Sequence, residues 1–261
     1  DACYPSILVI GQMINALKSG KYDPKKTAVI ISQTGGGCRA TNYIGFLKKG
    51  LREAGFEDVP IISLNVIGME KQPGFTISYS LIKRLMMGII YGDLFMRVLY
   101  RVRPYEKVPG SANKLYEFWR EKAFENVSNG NKREMNENIK NIVEAFDKLE
   151  INNIKKPKVG VVGEILVKYH PTANNNIVDV LESEGAEVVV PELLDFFLYC
   201  CYNSEFKSKY LSRSNIVKTA CNIAITYIES FRKIVIRELQ KSERFGSPTS
   251  ISNLAEKASQ V

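Results

Sequence analysis

Cys38 ends a run of three glycines, Gly35, Gly36 and Gly37, in the stretch TAVIISQTGGGCRATNYIGFL at residues 27–47. An apolar strand pattern leads into the glycines and a helical pattern follows the cysteine, so the thiol stands where a strand hands over to a helix. Glycines there remove side chains and let backbone N–H groups approach an anion closely. The helix N-terminus adds the positive end of its dipole and favours thiolate over thiol. Thiolate is the form that ligates iron, so this loop is suited to supply a ligand and to donate N–H bonds to cluster sulfurs. Arg39 adds positive charge beside an anionic cluster or a phosphate. A tight strand-to-helix turn with a half-buried cysteine is the alternative, and it needs the same glycines. The stretch matches neither G-x-x-x-x-G-K-[ST] nor G-x-G-x-x-G, which leaves a nucleotide loop without motif support.

Cys3, in DACYP, also precedes a helical pattern, so two cysteines 35 positions apart in the chain stand at helix starts. Taken alone, Cys3 reads as an incidental cysteine. Cys200 and Cys201 lie among aromatic residues in FFLYCCYN, where burial as small hydrophobes is expected. Cys221 falls on an apolar helical stripe and is expected in the core. Five cysteines without a CxxC pair, and a single histidine, His170, argue against both a disulfide framework and a self-contained zinc site. Glu164 closes a second strand pattern, with His170, Pro171 and Asn174 to Asn176 close behind. A carboxylate there is a weak candidate for a general base, and it serves equally well as a cap for the next helix. No Ser-His-Asp arrangement or paired-carboxylate signature can be assembled.

These residues must be positioned by α/β elements. A helix over 6–18 is followed by the continuous apolar strand TAVIIS, of the kind buried on both faces of a parallel sheet. A helix from about Thr41 to Ala54, closed by Gly55, leads to a second strand, VPIISLNV, completing a βαβ unit. Ser78 to about Tyr100 reads as a helix broken at Pro104, followed by helices over Ala112 to Phe124 and Arg133 to Leu149, with Phe118 and Trp119 as core residues. A second α/β section opens with the strand KPKVGVVGEIL ending at Gly163-Glu164, and continues through a loop, a helix to Gly185 and the strand AEVVVP. The remainder is helical, and its longest segment carries a stripe of Val217, Cys221, Ala224, Ile228, Phe231 and Val235. The fold class expected is α/β: two flavodoxin-like or Rossmann-like parallel-sheet lobes with a large added helical content. The lobes are placed at 1–150, with the helical stretch as an insertion, and at 151–261.

A chain of 261 residues with 45% hydrophobic and 25% charged residues is long enough for one large or two medium domains. The net charge of +8 comes from scattered lysines and arginines, with no recognisable nucleic-acid module, so a solvated basic surface is the expected reading and no nucleic-acid partner is expected. No apolar run is long enough to cross a bilayer and none resembles a signal peptide, which makes a cytoplasmic protein the default. The start at Asp1 and the end inside a helical pattern suggest a piece of a longer polypeptide, its second lobe truncated.

With DACYPSILVIGQMINAL, SQTGGGCRATNYIGFLKKGL, PIISLN and GVVGEILVKYHPTANNNIVDVLE in view, the chain resembles the carboxyl-terminal region of the large proteins described as activators of 2-hydroxyglutaryl-CoA dehydratase. That region is itself similar to the iron–sulfur subunits of 2-hydroxyacyl-CoA dehydratases and to double-cubane cluster proteins. TGGGCRATNY is the most specific element, and residues 78 to 149 carry the least of the resemblance. It implies flavodoxin-like α/β domains around an iron–sulfur cluster held by cysteines of separate loops. It also implies an ATP-dependent activase as the partner that delivers low-potential electrons, and an acyl-CoA as substrate. Cys3 and Cys38 match cysteine-bearing motifs of the family and are the candidate ligands; Gly35, Gly36, Gly37 and Arg39 are the candidate cluster-binding loop. A further cysteine motif of the family would lie beyond Val261, so the cluster is expected in the longer parent rather than in this piece. A non-catalytic α/β module that binds the activase or a CoA-like anion is the alternative.

Overall fold

The computed structural model describes residues 2–33, 38–65, 76–210, 215–258 and 260. The fold is mixed α/β and 65% helical, with two parallel sheets of two strands each among the described residues. In chain order the elements are α1 (Tyr4–Lys18), β1 (Val29–Gln33), a 3-10 turn (Arg39–Asn42) running into α2 (Tyr43–Glu53), β2 (Ile61–Asn65) and α3 (Tyr79–Val102). Then come α4 (Ser111–Asn129), α5 (Lys132–Asp147), β3 (Lys158–Gly160), the short α6 (Ile165–Tyr169), α7 (Ile177–Ser183), β4 (Glu187–Val189), α8 (Leu193–Tyr210), α9 (Asn215–Leu239) and α10 (Ile251–Ala258). They form two compact units, residues 1–77 with 165–173, and residues 78–164 with 174–261.

In the smaller unit, β1 and β2 pair in parallel, from Val29 opposite Ile61 to Gln33 opposite Asn65, around the expected βαβ connection. Val29 and Ile31 are buried whereas Ile30 is 45% exposed, so β1 is not the strand buried on both faces that its apolar run suggests. Successive side chains of a strand point to opposite faces, so Val29 and Ile31 share the covered face and Ile30 lies on the other. The covered face meets Leu17 of α1 and Ile44, Leu47 and Leu51 of α2, which recur at helical spacing. Where α1 and α2 approach, Gly50 supplies the room: a Cβ there would come within 3.0 Å of Ile10 Cγ2 and 3.3 Å of Ile14 Cδ1.

In the larger unit, Met87, Ile90, Leu94, Val98 and Val102 of α3 meet Met135, Ile139, Ile142 and Phe146 of α5 and the buried faces of α8 and α9. The helical stretch 78–149 is therefore the hub of this unit's core rather than an insertion in the first lobe. β3 and β4 pair from Lys158 opposite Glu187 to Gly160 opposite Val189, three residues each. The strand expected to reach Gly163 ends at Gly160, where its partner β4 ends at Val189, two residues before Pro191. With two strands each among the described residues, these sheets carry the α/β class and do not by themselves make out two flavodoxin-like lobes. Trp119 is buried as expected, but its neighbour Phe118 is 55% exposed, since adjacent helical residues diverge by about 100°. Cys200 is exposed, and Cys201 and Cys221 are half-buried, so none of the three is a fully buried core residue. Burial pushes the Cys201 thiol up from its ordinary range, and its neighbour Cys221 adds to the shift.

This core also holds charge. Arg232, only 1% exposed, donates to Glu192 Oε2 at 2.6 Å and Asp195 Oδ1 at 2.7 Å. Arg97 donates to Glu192 Oε1 at 2.7 Å. Asp93 of α3, 4% exposed, accepts from the backbone N–H groups of Leu193 (2.8 Å) and Leu194 (2.9 Å), so it caps the first turn of α8 from a hundred residues away. Among the described residues no helix is long and apolar enough to cross a membrane.

Candidate functional site

Cys38 is the N-cap of the 3-10 turn that opens α2, with extended backbone (φ −75°, ψ 136°) and no side-chain cap bond. Its carbonyl accepts from Thr41 N–H at 3.1 Å, which closes the turn and leaves the thiol exposed. The end of β1 braces this turn. Gln33 Nε2 donates to the Thr41 carbonyl at 2.9 Å, and Gln33 Oε1 accepts from the Ser63 hydroxyl on β2 at 2.9 Å. One amide thus ties both strand ends to the turn that presents Cys38, spending a donor and an acceptor in opposite directions. Gly35, Gly36 and Gly37, the expected cradle, lie outside the described residues. Arg39, the first residue of the 3-10 turn, is exposed.

Cys3 occupies the equivalent position on α1. It is the N-cap, extended at φ −67° and ψ 137°, makes no side-chain cap bond, and is followed by a proline in the first turn. Its carbonyl accepts from Ser6 N–H at 2.9 Å. Ser6, one turn along, is fully buried, and its Oγ has no hydrogen-bond partner among the described residues. An orphaned buried hydroxyl is costly, about 1–3 kcal/mol, and marks a place where a further acceptor would be welcome.

The two cysteines singled out in the sequence therefore belong to one unit, at the starts of helices that pack on each other across Gly50. Glu164 is exposed, follows β3, and belongs to the larger unit. His170 lies in the smaller unit and is a structural anchor. Its Nδ1 stands 3.3 Å from Ala173 N, and its Nε2 stands 2.7 Å from the side-chain amide of Gln12 on α1. Asn175 and Asn176 hold left-handed backbone (φ 56° and 54°), and Asn174 Oδ1 accepts from Ile177 N–H at 3.2 Å, so the asparagine run builds the turn into α7.

The positioning residues Gln33, Ser63, Ser6 and Gln12 carry no motif. The nearest sequence signal is polar Ser-Gln-Thr at the end of an apolar strand, where a polar side chain has the loop backbone within reach. Among the described residues, no cluster of three or more His, Cys, Asp or Glu side chains could hold a metal ion, so the site described here offers a pair of thiols and not a complete ligand set. No family model, curated protein or solved structure matches the chain.

Proposed function

We propose that this chain is an iron–sulfur module that accepts low-potential electrons from an ATP-dependent activase in an acyl-CoA dehydratase- or reductase-like system. The observation that carries the proposal is the pair of uncapped cysteines, Cys3 and Cys38, each at the N-cap of a helix start in one unit. Helix N-termini present unpaired N–H groups and a positive dipole end, which suit an anionic group bound there. The donor chemistry fits two ligands of a cluster, and the orphaned Ser6 hydroxyl beside Cys3 fits a hydrogen bond to an anionic sulfur.

A bound cluster would supply one-electron storage at low potential. The chain's own residues have other work. Cys3 and Cys38 would hold the metal; Gln33 and Ser63 fix the turn that carries Cys38; Arg39 would set positive charge beside it. Gly35, Gly36 and Gly37 are the proposed source of backbone donors. The β1–α2–β2 unit, with its loop at the carboxyl end of β1, supports a flavodoxin-like relationship for the smaller unit.

Anaerobic reconstitution of the longest available form of the polypeptide with ferrous iron and sulfide tests this reading. Iron and acid-labile sulfide in stoichiometric ratio, with a sulfide-to-iron charge-transfer band, is the expected result. A Cys38→Ser variant that keeps its full iron content overturns the ligand assignment, and a chain that takes up no iron overturns the function.

A further inference from the structure

A second candidate site lies in the larger unit. The segment Ile151–Pro157 joins α5 to β3 without regular structure. With Arg101 and Tyr105 at the end of α3, with Lys158 and Glu187, and with Arg244, it encloses a groove of about 640 Å³. That volume is in the range of small-molecule sites, ~300–1,000 Å³. Lys158 and Glu187 are the first residues of β3 and β4, so the groove opens at the amino ends of the paired strands. Open α/β sheets bind their usual ligands at the opposite edge.

Its charge is lopsided. Five cationic side chains, Arg101, Lys155, Lys156, Lys158 and Arg244, face one carboxylate, Glu187. That carboxylate is fully engaged: it accepts from Arg101 and from the Tyr105 hydroxyl (2.7 Å), and pairs with Lys158 at 3.5 Å. Arg244 donates Nη1 to the carbonyls of Phe146 (2.8 Å) and Leu149 (3.0 Å), which fixes its guanidinium without neutralising it. Lys155 and Lys156 enter no ion pair among the described residues; Lys156 feels Glu182 only at longer range, and Glu182 is itself held by Arg103 at 2.7 Å. Three cations thus remain uncompensated at one groove, where focusing between low-dielectric walls strengthens their field. The walls between them are apolar: Ile151, Ile154 and Pro157.

We propose that this groove binds a phosphorylated small molecule of the mononucleotide class. Lys155, Lys156 and the fixed Arg244 hold its phosphate oxygens, and the flat body lies against Ile151, Ile154 and Pro157. A bare inorganic anion would use the cations and leave the apolar wall wet; a neutral apolar ligand would leave the charges uncompensated. Only a ligand with both parts uses the whole lining.

Titration calorimetry on the full chain, with ADP, pyrophosphate and inorganic phosphate as separate probes, tests the proposal. ADP should bind saturably at one site. Lys155→Ala with Lys156→Ala, both on an irregular loop, should weaken ADP and pyrophosphate by about tenfold or more, the worth of one lost charge-assisted bond. Ile154→Ser should weaken ADP and leave pyrophosphate unchanged, with circular dichroism reporting that both variants fold. Absence of ADP binding at ~1 mM, a threshold near −4 kcal/mol, overturns the proposal. So does binding that the lysine variant leaves intact. Pyrophosphate binding as tight as ADP, and indifferent to Ile154→Ser, overturns the assignment to nucleotides. None of these readouts involves iron.

Discussion

Asp93 sets a pH-dependence that its own geometry specifies. Its carboxylate is buried against the start of α8, and burial raises it from 3.8 to about 7, aided by Glu192 and Asp195 and opposed by the N–H groups of Leu193 and Leu194. A carboxyl whose folded value lies above its unfolded one binds its proton more tightly when folded. Stability from this group is therefore fully present in acid, below about pH 4, and is lost as pH rises through about 7. The shift spans roughly three pH units at ~1.36 kcal/mol each, so ionising Asp93 in place costs about 4 kcal/mol. Asn at this position cannot ionise and offers one acceptor oxygen where Asp93 serves two N–H groups, a fixed loss of about 1–3 kcal/mol at every pH. Urea unfolding of wild type and Asp93→Asn, followed by far-ultraviolet circular dichroism across about pH 4.5 to 8, isolates the effect, because other titrations cancel in the difference. The variant should start level with or below wild type, overtake it between about pH 4.5 and 6, and stop gaining above about pH 7. A difference that stays flat, or moves the other way, refutes the burial of an ionisable cap.

Three other perturbations follow from single contacts. Gly163→Ala places a Cβ at φ +140°, a region open essentially to glycine, and should lower stability by about 1–3 kcal/mol in thermal melting; an unchanged midpoint would mean that the chain turns elsewhere. Gln33→Ala removes the bonds to Thr41 and Ser63 and should cost about 1–3 kcal/mol in urea unfolding, whereas Gln12→Ala, on exposed α1 surface, should cost under about 1 kcal/mol. Alkylation by iodoacetamide, read by mass spectrometry, should reach exposed Cys38 well before Cys201, whose thiol burial holds protonated; equal rates would refute that ordering.

The sequence declared elements far better than architecture. Periodicity located α1, α3 and the βαβ unit within a few residues, because each buries a face whose spacing is fixed by the helix or the pleat. The apolar runs misled where burial was inferred from composition: Ile30 and Phe118 belong to apolar stretches and face outward, since a run cannot say how many layers cover it. KVGVVGEIL reads as a long strand, and only the pairing with β4, which ends at Val189, reveals that it stops at Gly160. At the candidate site Cys3 and Cys38 were legible as helix starts. Gln33 and Ser63 were not, because their meeting depends on strand register across thirty residues. The cationic groove was equally hidden: Arg101, Lys155 to Lys158 and Arg244 come from three distant segments of a chain whose basic residues look scattered.

The route of the chain through its two units has a consequence for how the molecule is made. Residues 1–77 belong to the smaller unit, which is completed only by residues 165–173, whose His170 anchors to Gln12. Gly163, Asn175 and Asn176, all at positive φ, stand just outside that returning segment in the chain. On the ribosome, residues 165–173 of the smaller unit emerge only after almost ninety residues of its neighbour have been synthesised. Excising residues 1–77 as a cloned fragment would remove the contact of His170 with Gln12 of α1. The smaller unit is better studied by cutting elsewhere, or by supplying 165–173 in trans as a peptide.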